Sequence, residues 1–160
     1  MAILLQEESL YNRSQIYATD FNEEALDRAK KGIYSMENIK EFTSNYQKAG
    51  GTSAFSEYYL SKYGSVIFDN KLKKNIVFAN HNLASDSVFG EVHLIMCRNV
   101  LIYFDSILQN RVLTLFTDSI ARNGFLCLGT KETISFSDMA DKYDVVARKE
   151  KIYQYRKKHK

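Results

Sequence analysis

The sequence predicts an α/β protein built on a mostly parallel sheet that closes with a C-terminal antiparallel hairpin. Three observations carry this. Short apolar runs of strand length alternate with segments of helical spacing. A helix between successive strands implies a right-handed parallel crossover. The last two apolar runs, Tyr143 to Arg148 and Lys151 to Arg156, are joined only by a short charged turn, which suits a hairpin.

Along the chain, Ala2 to Leu10 reads as the end of a helix with no visible beginning. Gln15 to Asp20 is a strand, an apolar run that ends in a polar residue. Asn22 then caps a helix through Lys31. Glu23 and Glu24 suit its first turn, Lys30-Lys31-Gly32 suits its end, and Ala25, Leu26 and Ala29 share a face. Met36 to Lys48 is a weaker helix, stopped by Gly50-Gly51. Phe55 to Phe68 is rich in tyrosine and fits either a helix or a hairpin. Asn75 to Asn80 and Val92 to Cys97 are buried strands. Asp105 caps a long helix through Ala121, with Leu108, Val112, Leu115, Phe116 and Ile120 at helical spacing, and Asn123-Gly124 ends it. Phe125 to Gly129 is a further strand. From Asp20 to Asn75 the chain runs over 50 residues, far more than one crossover helix needs. Residues 35–74 therefore read as a subdomain inserted on the sheet, a common place for partner recognition.

Composition narrows the function classes. The 160 residues are 45% hydrophobic and 26% charged, ordinary for one folded domain and unlike a disordered chain. No apolar run approaches the roughly 18 residues of a membrane helix, so no membrane insertion is expected. Cys97 and Cys127 sit inside apolar runs, which points to a reducing, cytoplasmic setting. The net charge of +3 is uneven: residues 148–160 hold seven Lys or Arg and one Glu. A solvated strand end explains this tail better than nucleic acid does, since no stripe of basic and aromatic residues accompanies it. His81, His93 and His159 have no partners at ligand spacing, so no metal site is expected.

In an open α/β sheet, ligands lie beyond the carboxyl ends of the strands. Asp20 ends the first strand; it is either an acceptor for both hydroxyls of a ribose or a local turn cap. Asn82, in His81-Asn82-Leu83, is either a partner for an adenine edge, with Leu83 over the ring face, or a turn former. After the third strand come Arg98, Asn99 and then Tyr103, ahead of the Asp105 cap. Arg98 offers a fork of donors to a carboxylate, or a structural ion pair. Tyr103 is either a hydroxyl at the site or a packed aromatic. Cys97 has no activating histidine and reads as a buried thiol.

The strings Ile16-Tyr-Ala-Thr-Asp20, Asn22-Glu-Glu-Ala-Leu26, Ala29-Lys-Lys-Gly-Ile-Tyr34, Asn80-His-Asn-Leu83, Met96-Cys-Arg-Asn-Val-Leu-Ile-Tyr-Phe104 and Asn123-Gly-Phe-Leu-Cys-Leu-Gly129 resemble the CheR chemotaxis methyltransferases over nearly the whole chain. Lys131-Glu132 and Ile152-Tyr-Gln-Tyr-Arg156 fit as well. The resemblance implies a class I methyltransferase, Rossmann-like sheet and S-adenosylmethionine as cofactor. It implies methylation of glutamate side chains on methyl-accepting chemoreceptors. It implies Asp20, Asn82, Leu83, Arg98 and Asn99 as cofactor-binding residues, and Arg98 and Tyr103 as catalytic. In some members a small antiparallel subdomain docks a receptor's C-terminal peptide; here the insertion offers one hairpin candidate, Glu57 to Asp69.

The sequence also departs from the family. No glycine precedes Gly32, and neither the first sheet strand nor its glycine loop is found. The expectation is a partial methyltransferase domain, truncated at its N-terminus. Without the central strand, its neighbours would be left with unpaired edges or forced together. Such a chain is expected to bind the cofactor weakly, to be inactive in isolation, and to be marginally stable or prone to association. The alternative is a non-catalytic remnant serving as a receptor- or regulator-binding module.

Overall fold

The computed structural model describes residues 1–88 and 90–156. The C-terminal part of the basic stretch, His159 included, lies outside the described residues. The chain divides into two compact units, Met1–Asn82 and Leu83 onward.

In the first unit, α1 (Ala2–Glu7) is shorter than the expected helix to Leu10. A 3-10 turn at Tyr11–Arg13 follows it, and the Tyr11 hydroxyl donates to the Leu72 carbonyl at 2.7 Å. β1 (Ile16–Asp20) leads into α2 (Glu23–Lys31). The Asn22 side chain accepts from the N–H groups of Glu24 and Ala25, satisfying two of the donors a helix leaves unpaired at its start. At the other end Gly32 takes the left-handed conformation, φ 67°, and the Lys73 ammonium donates to the carbonyls of Lys30 and Lys31. β1 pairs in parallel with β5 (Ile76–Asn80), Ile16 opposite Ile76 and Asp20 opposite Asn80, as a two-stranded sheet.

The long connection between these strands holds a second, antiparallel sheet. Its strands are β2 (Ile33–Ser35), β3 (Tyr59–Lys62) and β4 (Ser65–Phe68), in the order β2-β4-β3. The Tyr-rich segment is thus a hairpin entered by a 3-10 turn at Phe55–Tyr58, with β2 as a strand the sequence did not announce. The expected helix at Met36 begins as a 3-10 turn and continues as α3 (Ile39–Lys48). Ile39, Phe55, Tyr58, Val66 and Leu72 form this unit's core. Glu7 accepts hydrogen bonds from the hydroxyls of Tyr46 and Tyr58, and these, Tyr46 first, hold its carboxyl below the usual range.

The second unit is a four-stranded mixed sheet, order β6-β7-β9-β8, formed by β6 (Val92–Cys97), β7 (Ile120–Leu128), β8 (Tyr143–Ala147) and β9 (Ile152–Tyr155). β6 and β7 are parallel and joined through α4 (Ser106–Ser119). Asp105 caps α4, accepting from the Leu108 N–H at 2.8 Å. β8 and β9 are the expected closing hairpin. The core gathers Cys97, Leu101, Val112, Leu113, Phe116, Leu126, Leu128 and Tyr153.

One expectation needs correction. Asn123-Gly124 does not end the helix. α4 stops at Ser119, β7 starts at Ile120, and Asn123, at φ 61°, sits inside the strand, where the pairing skips from Val92–Ile120 to Leu94–Phe125. An extra loop within a strand uses the same left-handed residues as a helix stop, so the two signals coincide. The α/β class holds, with a parallel sheet and a mixed sheet beside the antiparallel sheet of the insertion: among the described residues β1–β5 and β6–β7 pair in parallel and the other four strand pairs are antiparallel.

Candidate functional site

The sequence-derived site residues fall in both units. In the first, parallel register sets Asp20 beside Asn80, and the His81 N–H donates to the Asp20 carbonyl at 3.1 Å. The carboxyl ends of β1 and β5 therefore lie side by side, with Asn82 two residues beyond Asn80. Asp20 is exposed, and its Oδ1 accepts from the Asn22 N–H at 2.9 Å. It serves the turn, as one of the two readings held. An ionised carboxylate has about four acceptor positions, so one such bond leaves room for others. Asn82 is exposed. Phe21, directly after Asp20, is 72% exposed, an apolar face at a strand end that sequence reasoning did not single out.

In the second unit, Leu83 is half-buried and packs against the core. β6 ends at buried Cys97 and delivers Arg98 and Asn99 to the surface. Arg98 forms no ion pair among the described residues, so the structural reading of it finds no partner there. Asn99 adopts φ 60°, which turns the chain sharply off the strand. A 3-10 turn at Leu101–Tyr103 follows, anchored by buried Leu101. Tyr103 is 80% exposed and its hydroxyl makes no hydrogen bond among the described residues, which removes the packed-aromatic reading. Gln109, from α4, donates its amide to the carbonyls of Leu101 and Phe104, both at 2.9 Å, tying the loop to the helix.

The residue missed by sequence reasoning is Glu132. It is buried, and its carboxylate accepts from the backbone N–H groups of Asn99, Val100, Leu101 and Gly129. The available signal was an acid three residues after a strand-ending glycine. The thiol of Cys97 is pushed up to about 12, by burial first and then by the negative charge of Glu132. That suits an inert thiol and not a nucleophile. Cys127 is raised by burial, an effect opposed by the positive charge of Arg98. No helix of the described residues is long and apolar enough to cross a membrane.

A cofactor with a ribose and an adenine needs an accessible acceptor at a strand end. A carboxylate-directed reaction needs uncommitted donors. The exposed Asp20, and the unpaired Arg98 and Tyr103, have that chemistry.

Known proteins are similar to this chain in sequence. The Cher3 protein of Pseudomonas putida is 51% identical over 154 residues, covering 96% of this chain and 56% of that protein. The chemotaxis protein methyltransferase of Escherichia coli is 30% identical, covering 77% of this chain and 42% of that one. That of Borreliella burgdorferi is 30% identical, covering 84% and 47%. The chain thus spans about half the length of the curated relatives it matches. The family model described as "CheR methyltransferase, SAM binding domain" matches residues 1–152. The cofactor of such a domain is S-adenosylmethionine, and this chain belongs to the CheR methyltransferases.

Proposed function

We propose that the chain supplies the cofactor and transfer residues of a cytoplasmic enzyme that esterifies glutamate side chains on methyl-accepting chemoreceptors. The observation that carries the transfer half is the pair Arg98 and Tyr103: both are exposed, close in sequence after β6, and without a side-chain hydrogen bond or ion pair among the described residues. Asp20 would hold the ribose, Asn82 and Leu83 the adenine, and Asn99 and Arg98 the methionine end. The bound cofactor supplies an electrophilic methyl group on a sulfonium.

A glutamate side chain near neutral pH is already ionised, so its oxygen attacks the methyl carbon without a general base. With its methyl handed to that oxygen, the cofactor would leave as S-adenosylhomocysteine and the glutamate as a methyl ester, with no proton to transfer. The protein's contribution is alignment. Arg98 holds the carboxylate, and the Tyr103 hydroxyl fixes the line of attack. A pairing with Arg98 that is too tight would lower the nucleophilicity of the carboxylate, so an exposed, solvated guanidinium suits the role better than a buried one.

The glycine-bearing strand-to-helix turn that normally lets a cofactor approach the backbone is not found in these 160 residues, whose first glycine is Gly32. The chain by itself is therefore expected to bind S-adenosylmethionine with a Kd above about 1 mM and to leave receptors unmethylated. A chimera joining it to the unmatched part of the Pseudomonas relative is expected to label receptor signalling fragments with base-labile methyl groups. Dialysis with labelled cofactor and a methanol-release assay on both proteins test this. Micromolar binding by the chain alone overturns the first expectation, and a chimera that binds cofactor but esterifies no glutamate overturns the reaction.

A further inference from the structure

Glu132 is only 4% exposed, and among the described residues it has no cationic partner. Its charge is met by the backbone alone. Oε1 accepts from the N–H groups of Val100 and Leu101, both at 2.8 Å, and Oε2 from Asn99 at 3.0 Å and from Gly129. Four donors use the whole acceptor capacity of a carboxylate. Three of them are consecutive. Left-handed Asn99, φ 60°, is followed by right-handed Val100, φ −116° and ψ −48°, and this alternation turns successive N–H groups toward one point. The fourth requires a residue without a side chain. A Cβ on Gly129 would stand 2.6 Å from Glu132 Oε2 and 2.6 Å from Asn99 Oδ1.

We propose that the loop from Asn99 to Leu101 is an anion nest occupied by the chain's own Glu132, which makes Glu132 the positioning residue for Arg98 and Tyr103. The positioning half rests on the methyltransferase reading of those two residues; the nest does not. The loop that bears them departs from β6, yet its backbone is held by a carboxylate contributed after β7. The nest is also a site of defined chemistry: with the side chain cut back, it takes a small carboxylate from solution.

The test is amide NMR of the 160-residue chain. Glu132→Ala is expected to displace the signals of Asn99, Val100, Leu101 and Gly129, and sodium formate to return them along a saturating curve that sodium chloride at equal ionic strength does not reproduce. Unmoved amides, or formate acting no differently from chloride, overturn the nest. Should Glu132→Ala not fold, Glu132→Gln keeps the shape but turns one acceptor into a donor. It must displace the two amides facing that group, and unchanged amides overturn the nest there too. In the chimera, Glu132→Ala is expected to lose about a hundredfold in turnover, the scale of a small misplacement, and to regain it along the same formate curve. Amides that return while turnover does not would overturn the positioning role and leave the nest. A wild-type chimera that transfers no methyl would instead overturn the enzymatic reading, with the amide result still deciding the nest.

Discussion

At Asp20 two roles compete for one carboxylate, and a pair of substitutions separates them. The side chain already closes a turn by accepting from Asn22. Asn at this position keeps an oxygen for that turn and removes the charge, whereas Ala removes both. A hydrogen bond to a charged acceptor contributes about 1.5–3 kcal/mol, or roughly ten- to a hundredfold in affinity. In the chimera, Asp20→Asn is expected to weaken S-adenosylmethionine binding by that range while leaving the melting temperature nearly unchanged. Calorimetry and a thermal melt read the two quantities; unchanged affinity in Asp20→Asn would leave Asp20 with the turn alone. Cys97 gives a prediction about pH. Its thiol is pushed up to about 12, chiefly by burial, whereas an unfolded cysteine ionises near 8.5. Between those values the unfolded chain has released a proton that the folded one keeps, so stability falls as pH rises from about 8.5 toward 12. At pH 8 a disulfide reagent is expected to reach Cys127 first and Cys97 only on unfolding. Two equally fast thiols in the native protein would contradict the burial of Cys97.

Helix starts are where the elements were most legible. Asn22 and Asp105 were readable because a cap is a local event: one side chain and N–H groups two or three residues on. Asp105→Ala is expected to cost about 1 kcal/mol, seen as a lower urea midpoint with an unchanged slope; an unchanged midpoint would mean that packing alone starts α4. Asp20 and Asn82 were singled out as candidates by a similarly simple rule, that of strand ends. The elements that escaped depend on distant partners. β2 is three residues long and exposed throughout, so no periodicity marks it, and only pairing with β4 makes it a strand. Asn123-Gly124 uses the backbone conformation of a helix stop inside a strand. Glu132 stood out only as part of the family resemblance, and its role stayed hidden because its donors at Asn99, Val100 and Leu101 lie more than 30 residues earlier. Lys73 escaped likewise: its contact with the end of α2 joins residues 42 and 43 positions apart.

For the whole molecule, each compact unit has its own core, and the cores differ in kind. The first is small and ringed by aromatics, with Phe55 against Tyr46, Tyr58, Tyr59 and Phe68 at ring separations of 5.3 to 6.4 Å. The second is larger and mostly aliphatic, centred on fully buried Leu126, Leu128 and Val112. A cavity made in one core removes contacts from the elements that build that core. Leu126→Ala is expected to cost about 2–5 kcal/mol, the range for a buried leucine. The loss should appear as faster hydrogen exchange in β6, β7, β9 and α4, the elements around that residue. Leu72→Ala, at the 5% exposed leucine of the first core, should speed exchange in α3, β3 and β4 by the same reasoning. Exchange resolved by peptide separates two outcomes. Protection lost unit by unit means the chain opens in two steps, and its denaturation then has no single free energy. Equal loss across residues 1–88 and 90–156 from either substitution would mean that the two cores unfold as one.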